Sequence, residues 1–204
     1  MAQKTLGVLL FPDFELLDVF GPLEAFGHAK DWFRIVTVAE RPGPVTSAQG
    51  PRAIADHGFA DCPPLEILLV PGGMGTRREV NNPALVDRIA RMGRSAETMT
   101  SVCTGAALLA RAGVLDGRRA TTNKRAFGWV VEQGPKVDWV RQARWVDDGN
   151  VVTSSGVAAG IDMALHLIGR IAGPTARDEI ATRMEYEWHR DAAHDPFAKV
   201  WGLV

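Results

Sequence analysis

The stretch TSVCTGAALLARAG, residues 100–113, decides how this chain is read. Thr100, Ser101 and Val102 close the apolar, β-prone run ETMTSV (97–102), and small helix formers follow from Thr104 to Gly113. Cys103 stands between them. A strand that turns sharply into a helix lifts its apex residue above the carboxyl edge of the sheet, where ligands of open α/β sheets gather. Gly105 and Ala106 keep bulk away from such a turn, and the N–H groups of the helix start are expected to point at the sulfur. Those donors favour thiolate over thiol, which predicts a Cys103 pKa below the ordinary value of about 8.5. Cys103 is therefore read as a nucleophile. The other cysteine, Cys62 in FADCPPLEILLV (59–70), precedes two prolines with no helix start or charge to activate it, and is read as packing.

Outward from the elbow, short β-branched runs alternate with segments of helical period, the pattern of βαβ units on a largely parallel sheet. Strands are expected at TLGVLLF (5–11), FRIVTVA (33–39), EILLV (66–70) and ETMTSV, with a short one at RRATT (118–122). Asp13 is a helix N-cap candidate for a helix from Phe14, with Pro22 kinking or restarting it. Further helices are expected from Pro83, from Thr104, over Lys124 to Gln133, over AGIDMALHLIGRIAG (159–173) and from Thr175 to about Glu187. PVTSAQGPRAIADHGF (44–59) is a polar excursion or hairpin, and RQARWVDDGNVVTSS (141–155) a β-hairpin turning at Asp148, Gly149 and Asn150. The architecture is one α/β domain over 1–204, a three-layer α/β/α sandwich. The tail HRDAAHDPFAKVWGLV (189–204) is apolar enough at Phe197, Val200, Trp201 and Leu203 to dock on the body or on a second subunit.

Composition removes several function classes. The 204 residues are 46% hydrophobic and 23% charged, ordinary for a globular fold, and 23 basic against 24 acidic residues leave a formal charge of -1. Neither sign forms a block that could track a phosphate backbone or a membrane surface, so no nucleic acid and no membrane is expected as a partner. Apolar runs stop well short of the roughly 18 residues a membrane span requires, and the N-terminus has no signal-peptide pattern; a cytoplasmic location is expected. In that reducing compartment both cysteines are expected as thiols. No metal is expected: His189 and His194, with Glu185, Glu187, Asp191 and Asp195, fit no zinc spacing. Trp188 and Trp201 are expected at a subunit contact.

Nucleophilic attack develops negative charge that needs donors already in place. PGGMG (71–75) follows a neighbouring strand at the same sheet edge, so the Gly72 and Gly73 amides, with Thr104 N–H, form an oxyanion-hole candidate. It is not a phosphate loop, because no Gly-Lys-Ser/Thr ending follows.

Taken in order, LLFPDFELLDVFGPLEAF (9–26), DCPPLEILLVPGGMG (61–75), TSVCTGAALLARAGVLDGRRATT (100–122), GIDMAL (160–165) and MEYE (184–187) run over nearly the whole chain. This ordered set resembles the ThiJ/PfpI superfamily, which includes intracellular proteases, glyoxalase and deglycase-like proteins, and isocyanide hydratases. The resemblance implies a flavodoxin-like sandwich, usually dimeric, whose elbow cysteine has a carboxylate from the first helix beside it. Here that carboxylate is Asp18, with Glu15 the second choice. Two acids so placed raise each other's pKa, and the pair is expected to share a proton.

An aspartate in this place together with SVCTG looks most like the isocyanide-hydratase members. The implied chemistry needs no cofactor: Cys103 attacks the isocyanide carbon, Asp18 protonates it, and water releases an N-substituted formamide, with Thr104 positioning substrate or water. The protease-like branch carries His directly after the cysteine, where Thr104 stands here, and related sequences often read ATTH where this chain has ATTNK. Asn123 thus removes another imidazole, and Asn123, Lys124 and Arg125 reshape the pocket wall. Alternatives are a glyoxalase or deglycase on reactive aldehydes, a sensor whose thiol oxidises to sulfinate, and a ligand-binding domain akin to those fused to helix-turn-helix regulators.

Overall fold

The computed structural model describes residues 3–204. Strand β1 (Lys4–Leu9) leads through a turn into helix α1 (Leu16–His28), and β2 (Phe33–Val38) returns beside β1 in parallel register, Lys4 facing Phe33. A hairpin of β3 (Gly43–Thr46) and β4 (Arg52–Ala55) stands off as its own two-stranded sheet. The chain then re-enters the centre as β5 (Ile67–Val70), followed by the short α2 (Thr76–Glu79) and by α3 (Pro83–Ser95). Next come β6 (Thr98–Ser101) and α4 (Gly105–Arg111), with Gly113 at a positive φ just past the helix end, as its sequence position implies.

Beyond α4, β7 (Arg119–Ala120) pairs only with β8 (Asp138–Trp139), on either side of α5 (Phe127–Glu132). The expected RRATT strand is thus a two-residue fragment outside the main sheet. The hairpin of β9 (Trp145–Asp148) and β10 (Val151–Ser154) forms as expected, with Asp148 opposite Val151 and Gly149 and Asn150 as its turn. Helices α6 (Ala159–Ala172), α7 (Pro174–Arg183) and α8 (Phe197–Val200) finish the chain. α7 ends four residues earlier than expected, where Glu185 takes a left-handed φ of 48°.

The main sheet has the order β2-β1-β5-β6-β10-β9 and is parallel except at the β9 edge. Strands β5, β6 and β10 are buried residue for residue, which is why they read as continuous apolar or small-residue runs rather than as alternating ones. α1, α6 and α7 pack together on one face; α2, α3 and α5 gather around α4 on the other. The order switches direction at β1, so the carboxyl ends of β1, β5 and β6 open side by side at the crevice where α/β sheets hold ligands.

Two local expectations fail for physical reasons. Asp13 caps nothing: it sits at φ 63° in the turn before α1, where its backbone N–H and C=O bond Thr46 and Gly75, and Glu15 takes the N-cap place without its side chain capping a helix N–H. Pro22 does not restart the helix, since it lies inside an unbroken α1 with its ring packed against Gly160 of α6. The tail does dock on the body, but through Asp195 and Ala198, which are buried; Phe197, Val200 and Trp201 remain exposed.

Candidate active site

Cys103 occupies the elbow the sequence implies, between β6 and α4, at φ 56°. A non-glycine residue held left-handed costs about 1–3 kcal/mol and persists only where its surroundings over-determine it. The surroundings here are specific. Cys103 N–H donates to Ser155 O at 3.0 Å, its carbonyl accepts from Thr122 Oγ1 at 2.7 Å, and Gly105 N–H closes the turn on Val102 O. Gly105 is obligatory, because a Cβ there would lie 2.2 Å from Val70 O at the end of β5.

The sulfur is buried, with 6% of the residue exposed. Three donors address it: the Thr104 N–H, the Val157 N–H and the Asn123 side-chain amide. The helix start thus supplies one donor, not several, and the rest come from the loop after β10 and the loop after β7. Asn123 is oriented by its own oxygen, which accepts from Ala126 N–H at 3.0 Å, so the amide nitrogen is the end left for the sulfur. Val157 is itself left-handed at φ 43°. A β-branched residue there is strained, and the strain brings its N–H to the site.

Asp18 lies in the first turn of α1 with no exposed surface. Its Oδ2 accepts from Gly72 N–H at 2.8 Å, whereas Oδ1 has no hydrogen bond of good geometry. The carboxyl group and the Cys103 thiol act on each other directly. Burial raises the Asp18 pKa well above the usual carboxylate range, with the Glu15 charge adding to the rise, against the pull of Gly72 N–H and the thiol. Burial, then the Asp18 charge, pushes the Cys103 thiol up to about 12, and the three donors only offset part of this.

The expected lowering of the thiol pKa is therefore corrected: desolvation outweighs the helix start. What remains of the expectation is the mutual raising, because a site this dry accepts one negative charge far more readily than two. The carboxylate with an unpartnered oxygen is the natural place for the proton that the thiol gives up.

The glycine loop does something other than expected. Gly72 N–H is taken by Asp18, and Gly73 N–H donates to Thr104 Oγ1 at 3.0 Å, so neither amide is a free donor facing substrate. Gly72 cannot carry a side chain: a Cβ would lie 2.6 Å from Thr104 N and 2.9 Å from Asp18 Oδ2. The loop clamps the acid and the Thr104 hydroxyl, which also bonds Thr76 Oγ1 at 3.1 Å. Thr104 Oγ1 is thereby committed to the loop, and its amide rather than its hydroxyl meets the sulfur. Glu15 stays at the rim, bonded through Oε1 to Gln49 Nε2 at 2.7 Å, and touches the chemistry only through its charge.

Sequence reasoning passed over a buried ion pair beneath the elbow. Lys124 Nζ lies 3.5 Å from Asp195 Oδ2 and donates to Thr121 Oγ1, Thr122 O and Ala143 O; burial lowers its pKa to about 8. Asp195 Oδ2 also accepts from Ser155 Oγ at 2.6 Å. The pair thus grips both residues that hold the Cys103 backbone, and it ties the C-terminal segment to the site. Lys124 does not line the pocket through its charge, as the sequence implied. Arg125, exposed beside it, does.

The remaining clusters resolve structurally. Trp188 has the guanidinium groups of Arg177 and Arg190 over its ring, 4.4 and 4.9 Å from the centroid. No group of three or more metal-ligating side chains occurs among the described residues, and Asp195 belongs to the Lys124 pair. Cys62 donates to the neighbouring Pro63 carbonyl and is free, as is Cys103. No helix among the described residues is long and apolar enough to cross a membrane.

Comparison with known proteins identifies the family. The model of the DJ-1/PfpI family matches residues 4–170. The chain is 35% identical to the isonitrile hydratase of Pseudomonas putida over 183 residues, which cover 89% of this chain and 78% of that protein. It is 32% identical to a deglycase of Pyrococcus abyssi over 146 residues, 71% of this chain and 83% of the relative. It is also 32% identical to the helix-turn-helix regulator CdhR of Pseudomonas aeruginosa over 170 residues, 81% of this chain but only half of the regulator's length. Among solved structures, a THiJ/PfpI family protein from Pseudomonas syringae superposes with a TM-score of 0.85 at 30% identity, over 93% of this chain and 77% of that one. With the family model covering most of its length and the hydratase aligned over most of both chains, the chain belongs to the DJ-1/PfpI family.

Proposed function

We propose that this protein is a cofactor-independent isocyanide hydratase with Cys103 as nucleophile and Asp18 as acid-base group. The observation that carries the proposal is the buried Asp18 carboxyl, whose Oδ1 has no other partner beside a strained, buried thiol. An isocyanide carbon is both electrophilic and, once attacked, basic. It needs a nucleophile and a proton at a single atom, and this pair supplies both.

The Cys103 proton passes to Asp18 as sulfur bonds to the terminal carbon of R–NC, and the carboxylic acid returns that proton to the same carbon. The product is the thioimidate R–N=CH–S–Cys103. Water then adds to its carbon, the C–S bond breaks, one water proton ends on nitrogen and the other on sulfur, and R–NH–CHO leaves. The Thr104 and Val157 amides and the Asn123 side chain carry the sulfur's charge as it develops and again as it departs. A desolvated thiol with a raised pKa suits this cycle, since attack and proton transfer are coupled at every step.

The similarity to an isonitrile hydratase supports this reading. Thr104 and Asn123 leave no histidine beside Cys103, which disfavours a Cys-His hydrolase. Burial and the raised thiol pKa weigh against the peroxide-sensing alternative, which requires an exposed, acidic thiol. Aldehyde chemistry of the deglycase kind is the remaining rival, because a carbonyl carbon could take the same attack. We further infer a cytoplasmic homodimer. Leu17 and Phe20 of α1 are exposed apolar side chains lining a depression of about 440 Å³ that a second copy would cover.

The test is a panel of alkyl and aryl isocyanides with methylglyoxal as the competing substrate. The proposal expects formamide from wild type, none from Cys103→Ala, and no methylglyoxal turnover. Methylglyoxal consumption without formamide contradicts it.

A further inference from the structure

A recess of about 390 Å³ starts at the sulfur's own donors. The half-buried Asn123, Gly156 and Val157 line it together with the exposed Arg125, Phe197 and Trp201, which make its mouth. The two aromatic rings at the mouth are 54% and 49% exposed, large for side chains of their kind and positioned to receive a flat apolar group.

The charges along the wall are uneven. Lys124, Arg125 and Arg144 line the recess, and no carboxylate does. Lys124 is neutralised by Asp195, and Arg144 by Asp162 at 2.5 Å. Arg125 has no hydrogen-bond or ion-pair partner among the described residues; its guanidinium lies only over the Trp201 ring, 6.0 Å from the centroid. One uncompensated cation therefore stands at the far end of a polar-walled, aromatic-rimmed recess.

We infer that this recess is the substituent pocket, and that the preferred substrate carries an aryl or similarly flat group with an anionic, carboxylate-like end toward Arg125. The inference rests on the hydratase reading for the reacting end of the molecule and goes beyond it for the rest. Phe197 and Trp201 flank the ring and Arg125 pairs the anion, while the reactive carbon stays by Cys103. An exposed guanidinium beside aromatic rings gives a modest ion pair, so the expected preference is about five-fold, not a hundred-fold.

Two measurements separate this inference from the hydratase proposal. In the first, kcat/KM is compared for 4-isocyanobenzoate and phenyl isocyanide with wild type and Arg125→Gln. Wild type is expected to favour the carboxylate about five-fold through KM, and the variant to lose that preference. In the second, 4-formamidobenzoate and formanilide protect Cys103 from iodoacetamide, with alkylation read by mass. The anion is expected to protect at about five-fold lower concentration in wild type and at equal concentration in Arg125→Gln.

Arg125-dependent protection without any isocyanide turnover would uphold the recess and overturn the hydratase reading. Turnover with no anion preference in either assay would do the reverse. A preference that survives in Arg125→Gln overturns the assignment to this residue.

Discussion

Replacing Asp18 by Asn removes a titratable group from a fully buried position. The carboxamide oxygen of the variant can keep the Gly72 N–H bond now made by Oδ2, and its amide nitrogen faces the sulfur where Oδ1 has no partner. No cavity forms. The sign of the stability change follows from linkage. The folded carboxyl titrates above its unfolded value of about 3.9, so at low pH both states of the wild type hold the proton and nothing is lost. As pH rises past the unfolded value, the unfolded chain releases its proton while the folded one keeps it, and the wild type loses about 1.4 kcal/mol per pH unit relative to Asp18→Asn until the folded carboxyl ionises.

Each pH unit over which the folded carboxyl keeps the proton that the unfolded chain has lost is worth roughly 3–6 °C in melting temperature for a chain of this size. The variant is thus expected to be the more stable protein at neutral pH and the inactive one. The same substitution removes a negative charge from beside the sulfur and adds a donor, so the pH midpoint for Cys103 alkylation should fall. Melting curves at half-unit pH steps and iodoacetamide rates over pH 6–11 read both effects. A melting difference that stays constant with pH, or an alkylation midpoint that does not fall, refutes the placement of an unpartnered acid against the thiol.

Asn123→Ala acts in the opposite direction on the same thiol. It removes one of three donors to the sulfur, so the alkylation midpoint should rise, and loss of the Ala126 N–H acceptor at the start of α5 should lower stability by about 1 kcal/mol. Lys124→Met leaves Asp195 buried without its cation; loss of a buried partner costs about 3–5 kcal/mol, and the C-terminal segment should become the first site of proteolytic cleavage. If Lys124→Met melts like the wild type with its tail still protected, the pair does not hold that segment. Hydratase activity is expected to rise with pH above the ordinary carboxylate range, since the reacting pair must lose one proton before Cys103 can hand its own to Asp18, and a rate already at its plateau at pH 4 contradicts this.

The order of the main-sheet strands was legible because the central strands β5, β6 and β10 are buried on both faces and read as continuous apolar or small-residue runs, and because turn residues mark the two hairpins. The elbow was legible for the same reason: a lone cysteine between a strand and a small-residue helix has few structural uses. Asp18 was found only through resemblance, as a mid-helix acid carries no local signal of burial. The mutual raising of the two pKa values followed from chemistry alone, but the net direction for Cys103 did not. Sequence shows which donors a helix start offers and hides how deeply the sulfur is desolvated.

Val157 could not have been found, since a β-branched residue is the last choice for a left-handed backbone, and its N–H reaches the sulfur only because the loop after β10 forces it there. The Lys124–Asp195 pair joins residues 71 positions apart, and only the folded tail brings them together. The glycine loop was recognised as functional but given the wrong partners. Its amides hold the acid and the Thr104 hydroxyl, a task that depends on how closely β5 approaches α1 and α4.

A nucleophilic Cys103 must bond through its sulfur to the substrate carbon. Mixing the protein with an aryl isocyanide, quenching within the first turnover and measuring the mass of the Cys103 peptide tests this directly. The expected result is a gain equal to the whole substrate mass on Cys103, decaying as the N-aryl formamide appears, and no gain in Cys103→Ser. Formamide released at an undiminished rate by Cys103→Ser, with no adduct on the wild-type peptide at any quench time, would contradict the claim.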